Sequence, residues 1–256
     1  MIKEPRNEIK KNNRKNRITQ IVCAWIPNRI DNHVVVSVLE LMRKAQRLFH
    51  KDFSVNLKYN EENFKRHIEI IQKNHGYIED QNNYEDMKYG KVTMKYAGCE
   101  IFATYNAVFS LTRNHEMSLA QMIFDYEKDG AVLSGKFGTA PKAISDYLTR
   151  LGFITYFSTS EEEFDKIGRE YDSLILTMYN DRKDIRKEVH TIHISKDCEM
   201  YIAHNVYCDG KVVGPCVCVS EVIKNINGGK AKGISLIGIK SGSGIKNGPI
   251  CFDIDS

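Results

Sequence analysis

Residues 97 to 113 read AGCEIFATYNAVFSLTR. The apolar residues Ile101, Phe102, Tyr105, Val108, Phe109 and Leu111 predict a buried helix that starts near Cys99, directly after Gly98. A thiol in the first turn of such a helix meets N–H groups without intrahelical partners and the positive end of the helix dipole, and both favour a thiolate. The same N–H groups suit the oxyanion of an acyl-transfer intermediate. Cys99 is therefore a candidate nucleophile, although free cysteines are also common as small buried hydrophobes.

Outward from this helix the pattern changes from one side to the other. Upstream, the spacing of Val35, Val38, Leu39, Leu41, Met42 and Leu48 predicts a helix over 32–51, and Phe64, Ile68, Ile70 and Ile71 predict another over about 61–73. Residues 76–90, GYIEDQNNYEDMKYG, read as a loop or linker. Downstream come helices over about 118–128 and 140–151, the second with Pro141 in its first turn, where the missing N–H costs nothing. Strands are then expected over 153–157, 174–178, 190–195, 199–205 and 234–239, with helices near 161–170 and 220–225. Helices first and antiparallel strands second make an α+β plan.

A cysteine nucleophile needs a base, normally histidine, held by a third group. His190 opens the strand HTIHIS, and EMYIAHN follows after a turn at 196–199. With Asp197 and Cys198 as the central turn residues, Lys196 pairs with Glu199 and His190 falls opposite Asn205. The Asn205 amide would then fix the tautomer of His190, while His193 and His204 fall out of phase.

The order of cysteine at a helix start, histidine at a strand start and asparagine at the end of the next strand resembles the papain-like cysteine peptidases, in the compact bacterial branch that includes bacteriocin-leader peptidases. The resemblance covers about 91–239. It is carried by GCEIFATYNAV around Cys99, GKFGTAPKAISDYLTRLGF at 135–153, HTIHI from His190, YIAHNVY around Asn205 and the closing ISLIGI. It implies a papain-like domain that hydrolyses peptide or isopeptide bonds through an acyl-enzyme. In it Cys99 is the nucleophile, His190 the general base and acid, and Asn205 the orienting residue, with no cofactor. Such domains usually carry glutamine six positions before the cysteine and glycine directly after it; here those positions hold Thr93 and Glu100. The charge of Glu100 would oppose thiolate formation if it pointed inward. The alternative expectation is thus a catalytically silent papain-like domain that binds a peptide or protein partner.

The expected organisation is a basic tail over 1–17, a helical extension over 18–89 that caps the following domain, the papain-like domain over 90–240, and a glycine-rich tail over 241–256. The extension has too few apolar positions for a core of its own. The net charge of +4 is concentrated in the tail, where seven Lys or Arg stand against Glu4 and Glu8, a surplus of five. No aromatic interleaving or recognition motif accompanies it, so no nucleic-acid partner is expected; the expected partner is a peptide or protein substrate. No apolar run approaches the roughly 18 residues of a membrane span, and the first residues lack the apolar core of a signal peptide, which sets the expectation of a cytoplasmic protein. The seven cysteines are then expected to be reduced. Cys198, Cys208, Cys216 and Cys218 lack zinc-ligand spacing, and the C-terminal glycines lack the pattern of a phosphate loop, so no metal or nucleotide is expected.

Overall fold

The computed structural model describes residues 30–47, 53–113, 118–183, 189–206 and 212–242. The expectations for the basic tail, for Cys23, Cys208 and Cys251, and for the C-terminal glycines beyond 242 lie outside these residues.

The architecture is α+β. Nine α-helices are described: α1 Asn32–Arg47, α2 Ser54–Phe64, α3 Ile68–Lys73, α4 Met94–Ala97, α5 Cys99–Thr112, α6 Leu119–Asp129, α7 Pro141–Arg150, α8 Phe164–Glu170 and α9 Val219–Asn225. A short ribbon pairs β1 Lys88–Tyr89 with β2 Val92–Thr93. The main sheet contains β3 Ile154–Ser158, β4 Ser173–Tyr179, β5 Val189–Asp197, β6 Met200–His204, β7 Val213–Cys216 and β8 Lys232–Lys240, in the order β3-β8-β4-β5-β6-β7. Every neighbouring pair is antiparallel.

The sheet separates two cores. On one side Ile175, Ile237 and Ile239 meet Ile101, Phe102, Tyr105 and Val108 of α5, with Met122 and Ile123 of α6 and Ile144 and Leu148 of α7 behind them. On the other, Leu174, Leu176, Met178, Ile192, Ile194 and Leu236 meet Phe164 and Ile167 of α8 and Val219 and Val222 of α9. Each such side chain contributes about 1.5–3 kcal/mol on burial, which is why the near-continuous apolar strands sit centrally. Helix α5 is buried along nearly its whole length, as its composition predicts. It begins where it does because Gly98 packs against the Met94 carbonyl and the Phe102 ring, with no room for a β-carbon. It ends at Arg113, whose φ of 53° is left-handed and whose N–H reaches the Phe109 carbonyl.

The upstream region departs from the expected pattern. A single helix over 61–73 is replaced by α2 and α3, separated by a turn at 65–67. The buried face of α2 is made of Asn56, Asn60 and Asn63, so it carries no hydrophobic signal. These amides replace apolar contacts with hydrogen bonds. Asn60 donates to the Lys88 carbonyl and accepts from the Lys88 N–H, both at 2.8 Å. Asn56 donates to Gly90 O and to Glu127 Oε1. Further upstream, Arg43 of α1 bridges to Asp146 of α7.

The hairpin register is also corrected. Asp197 pairs with Met200, Lys196 with Tyr201 and His193 with His204, so the central turn residues are Cys198 and Glu199 rather than Asp197 and Cys198. Both have positive φ, 45° and 70°. That is the backbone of a type I′ turn, whose twist matches the twist of the strands it joins. β6 stops at His204, so Asn205 is not in the ladder and does not lie opposite His190. Cys216 ends β7 and Cys218 stands at the N-cap of α9.

Candidate functional site

Cys99 is the first residue of α5 and is buried. Helix α5 packs along β5, and a backbone hydrogen bond links Cys99 to Thr191. His190 is the preceding residue of β5 and is fully buried. Asn205 follows β6 with a φ of 59°. The structure therefore brings His190 to Asn205 and the Cys99 thiol to the neighbouring Thr191 backbone, while Thr191 and His190 direct their side chains to opposite faces of the sheet.

The contacts differ from those expected. Asn205 holds His190 through its main chain: Nε2 lies 2.5 Å from the Asn205 carbonyl oxygen. A carbonyl only accepts, so Nε2 carries the proton. In the neutral ring Nδ1 then holds the lone pair, which is the nitrogen a general base uses. The Asn205 amide is committed elsewhere. Its Oδ1 accepts from the Gln81 N–H and its Nδ2 donates to Gln81 Oε1, while Gln81 Nε2 donates to the Lys95 carbonyl. Gln81 thus joins the segment before Cys99 to the segment that holds His190.

A second layer fixes Asn205. Its N–H donates to Glu79 Oε2, and Glu79 Oε1 accepts from His204 Nδ1 at 2.7 Å. His204 Nε2 in turn hydrogen-bonds the Ser195 hydroxyl at 2.8 Å. Tyr77 stacks on His204 with ring centroids 4.0 Å apart, and His193 bonds Ser173, which also receives a bond from Ser110 of α5. His193 therefore lies on the α5 side of β5. His190 shares its face of β5 with Ile192 and Ile194, which belong to the opposite core, and pairs directly with Met178, so its side chain leaves the sheet on the side away from α5.

The thiol faces a carboxylate. Cys99 Sγ donates to Glu100 Oε2 at 3.2 Å. Glu100 is itself buried; a β-carbon on Gly138 would come within 3.0 Å of its Oε1, and the Thr139 backbone bonds it. Burial pushes the Glu100 carboxyl up to about 7. Burial and, after it, the Glu100 charge push the Cys99 thiol well above its ordinary value, despite the opposing backbone hydrogen bonds. The lowered thiol expected of a helix start is therefore not found: desolvation outweighs the helix terminus. Burial also takes His190 down to about 4, with the Asn205 hydrogen bond opposing. At neutral pH the pair is a neutral thiol and a neutral imidazole.

Sequence reasoning named Glu100 but missed Glu79 and Gln81. Both lie in the polar stretch read as a linker, where nothing in the spacing marks a residue that folds back 124 to 126 positions away. Among the described residues no group of three His, Cys, Asp or Glu side chains could hold a metal ion, and no helix is long and apolar enough to cross a membrane. No protein-family model matches the chain, and no curated protein matches it.

Proposed function

We propose that this protein is a papain-like cysteine hydrolase that cleaves peptide or related amide bonds in a peptide or protein substrate. The observation that supports this reading is that the Cys99 thiol, at the start of α5, bonds the Thr191 backbone next to His190, whose Nε2 proton is fixed on the Asn205 carbonyl. On this reading, as the family resemblance implies, Cys99 attacks the carbonyl carbon, the His190 ring turns toward the thiol to serve as base and acid, Asn205 holds that ring, and water clears the acyl-enzyme. The neutral resting pair makes this a general-base mechanism, with the thiol ionised only as it attacks. A fluorogenic peptide-amide library tests it. Turnover is expected from wild type and from neither Cys99→Ala nor His190→Ala; equal rates in all three would sink the hydrolase.

A specific observation favours a second reading, a silent domain that binds a peptide. The thiol proton is held by Glu100, and His190 shares a face with the core residues Ile192 and Ile194, away from α5. On that reading the library gives no turnover, while Cys99→Ala binds the same peptides as wild type.

A further inference from the structure

Glu100 is a buried ionisable group in direct contact with the nucleophile, and the mechanism above leaves it idle. The residue after Cys99 could have turned its carboxylate to solvent; instead it turns inward, onto the sulfur. Its position is built. The Glu100 carbonyl accepts from Thr104, whose hydroxyl also meets Tyr126, while Thr139 bonds both the carboxylate through its backbone and the Tyr89 hydroxyl through its side chain. Gly138 closes on Oε1. These contacts fix Oε2 on the thiol.

The geometry points to Glu100 as a catalytic residue, the group that takes the proton from Cys99 as the sulfur attacks. This rests on the hydrolase reading and divides the proton traffic within it. In acylation the sulfur–carbon bond forms, the carbonyl π pair moves to oxygen, and the thiol proton passes to Glu100 Oε2. On collapse the carbon–nitrogen bond breaks and the leaving nitrogen takes that proton from Glu100. In deacylation a water oxygen bonds the carbonyl carbon, His190 Nδ1 takes its proton, and on collapse of this second intermediate the sulfur leaves and recovers the proton from His190. The direct contact at 3.2 Å gives the carboxylate first access to the thiol proton. A base poised near neutrality is also better matched to this task than a ring taken down to about 4.

The ionisable groups that feel Glu100 are Cys99 on its own helix, Tyr89 on β1 and Tyr126 on α6. Burial holds both tyrosines well above their usual range, so they remain neutral while Glu100 titrates.

The test is the pH dependence of iodoacetamide alkylation at Cys99, followed by mass spectrometry of its peptide from the intact protein. In this reaction the sulfur–carbon bond forms, iodide leaves and the thiol proton again goes to Glu100. The wild-type rate should rise through pH 7 and level off. Glu100→Gln should lose that limb and fall at least about a hundredfold at pH 8, the lower end of what a positioned base contributes. A carboxylate that only repels the thiolate gives the opposite sign, so a Gln variant alkylated as fast as wild type or faster overturns the proposal. So does a wild-type rate that rises only above pH 9, or no labelling of Cys99 at any pH; these two need no variant to fold. Peptide hydrolysis lost in Cys99→Ala but intact in Glu100→Gln would remove Glu100 and leave the hydrolase standing. The predicted alkylation profile without any peptide hydrolysis would do the reverse.

Discussion

Asn205 meets His190 through its carbonyl oxygen, and its side chain is spent on Gln81. Any residue at 205 supplies a carbonyl, but the left-handed φ of 59° tolerates glycine and penalises alanine. Asn205→Gly should therefore keep the His190 hydrogen bond, seen as a slowly exchanging low-field imidazole N–H in the proton NMR spectrum. Asn205→Ala should weaken or lose it. Disappearance of the signal in the glycine variant would mean that the amide, not the main chain, holds the ring.

Glu127 gives a signed prediction for stability against pH. It is buried, accepts from Asn56 and from the Gly90 N–H, and burial pushes it up to about 7. A carboxyl whose folded value is raised binds its proton more tightly in the folded state. Its contribution is therefore favourable at low pH and is lost as pH rises from the ordinary 4.5 through 7. Glu127→Gln should match wild type near pH 5 and be more stable at pH 8, by up to about 3 kcal/mol at roughly 1.4 kcal/mol per pH unit. Thermal melts at the two pH values decide it; a gap that does not widen with pH would refute the assignment.

His190 carries the opposite sign. Its folded value near 4 lies below the ordinary 6.5, so its contribution is lost as pH falls from 6.5 through 4. In a background already carrying Glu127→Gln, the loss of stability between pH 6.5 and 4 should be smaller once His190 is replaced by Gln. Parallel acid limbs in urea titrations of the two proteins would show that His190 is not a buried neutral ring.

Asn60 tests the polar seam under α2. Its amide satisfies both main-chain groups of Lys88 from a fully buried position. Asn60→Leu adds apolar surface yet should destabilise by about 2 kcal/mol, because the Lys88 groups lose their partners. Urea unfolding measures it, and a leucine variant as stable as wild type would show that the pair contributes nothing net.

Gly76 and Gly152 separate crowding from backbone strain. Their φ values are 93° and 92°, but a β-carbon at Gly76 would sit inside the Phe109 ring, whereas at Gly152 it would meet nothing within 4 Å. Gly152→Ala should cost about 1–2 kcal/mol from strain alone. Gly76→Ala should cost more by roughly 1–3 kcal/mol of overpacking. Equal losses in chemical denaturation would contradict the geometry.

How much of this was legible in the sequence follows from which interactions are local. Helix α5 was read well because its apolar residues are dense and a glycine with no room for a β-carbon stands at its start. Helix α7 was read from Pro141 and its periodicity, and the apolar strands from composition. Helix α2 was misplaced because it buries asparagines, which carry no hydrophobic period. The hairpin was shifted because Cys198 and Glu199 adopt left-handed conformations without the Asn-Gly signal that usually announces them. That shift is what turns an expected side-chain contact between Asn205 and His190 into a main-chain one. The inward turn of Glu100 and the folding back of Glu79 and Gln81 depend on tertiary contacts that spacing along the chain does not encode.

Strand order has a consequence for how the chain acquires its shape. β8, the last described strand, lies between β3 and β4, so residues 232–240 supply an inner strand of a sheet whose other strands are made earlier. Until they arrive, β3 and β4 have no strand between them, and the surface of Leu174, Leu176 and Met178 lacks its Leu236 neighbour. During synthesis the helices and the β5–β6 hairpin can form from nearby residues, but the two cores cannot be divided by a finished sheet. Completion of the sheet beside the Cys99 and His190 neighbourhood is thereby tied to the strand translated after all its other strands, and a ribosome that stalls before residue 232 would leave an open sheet exposed to other chains.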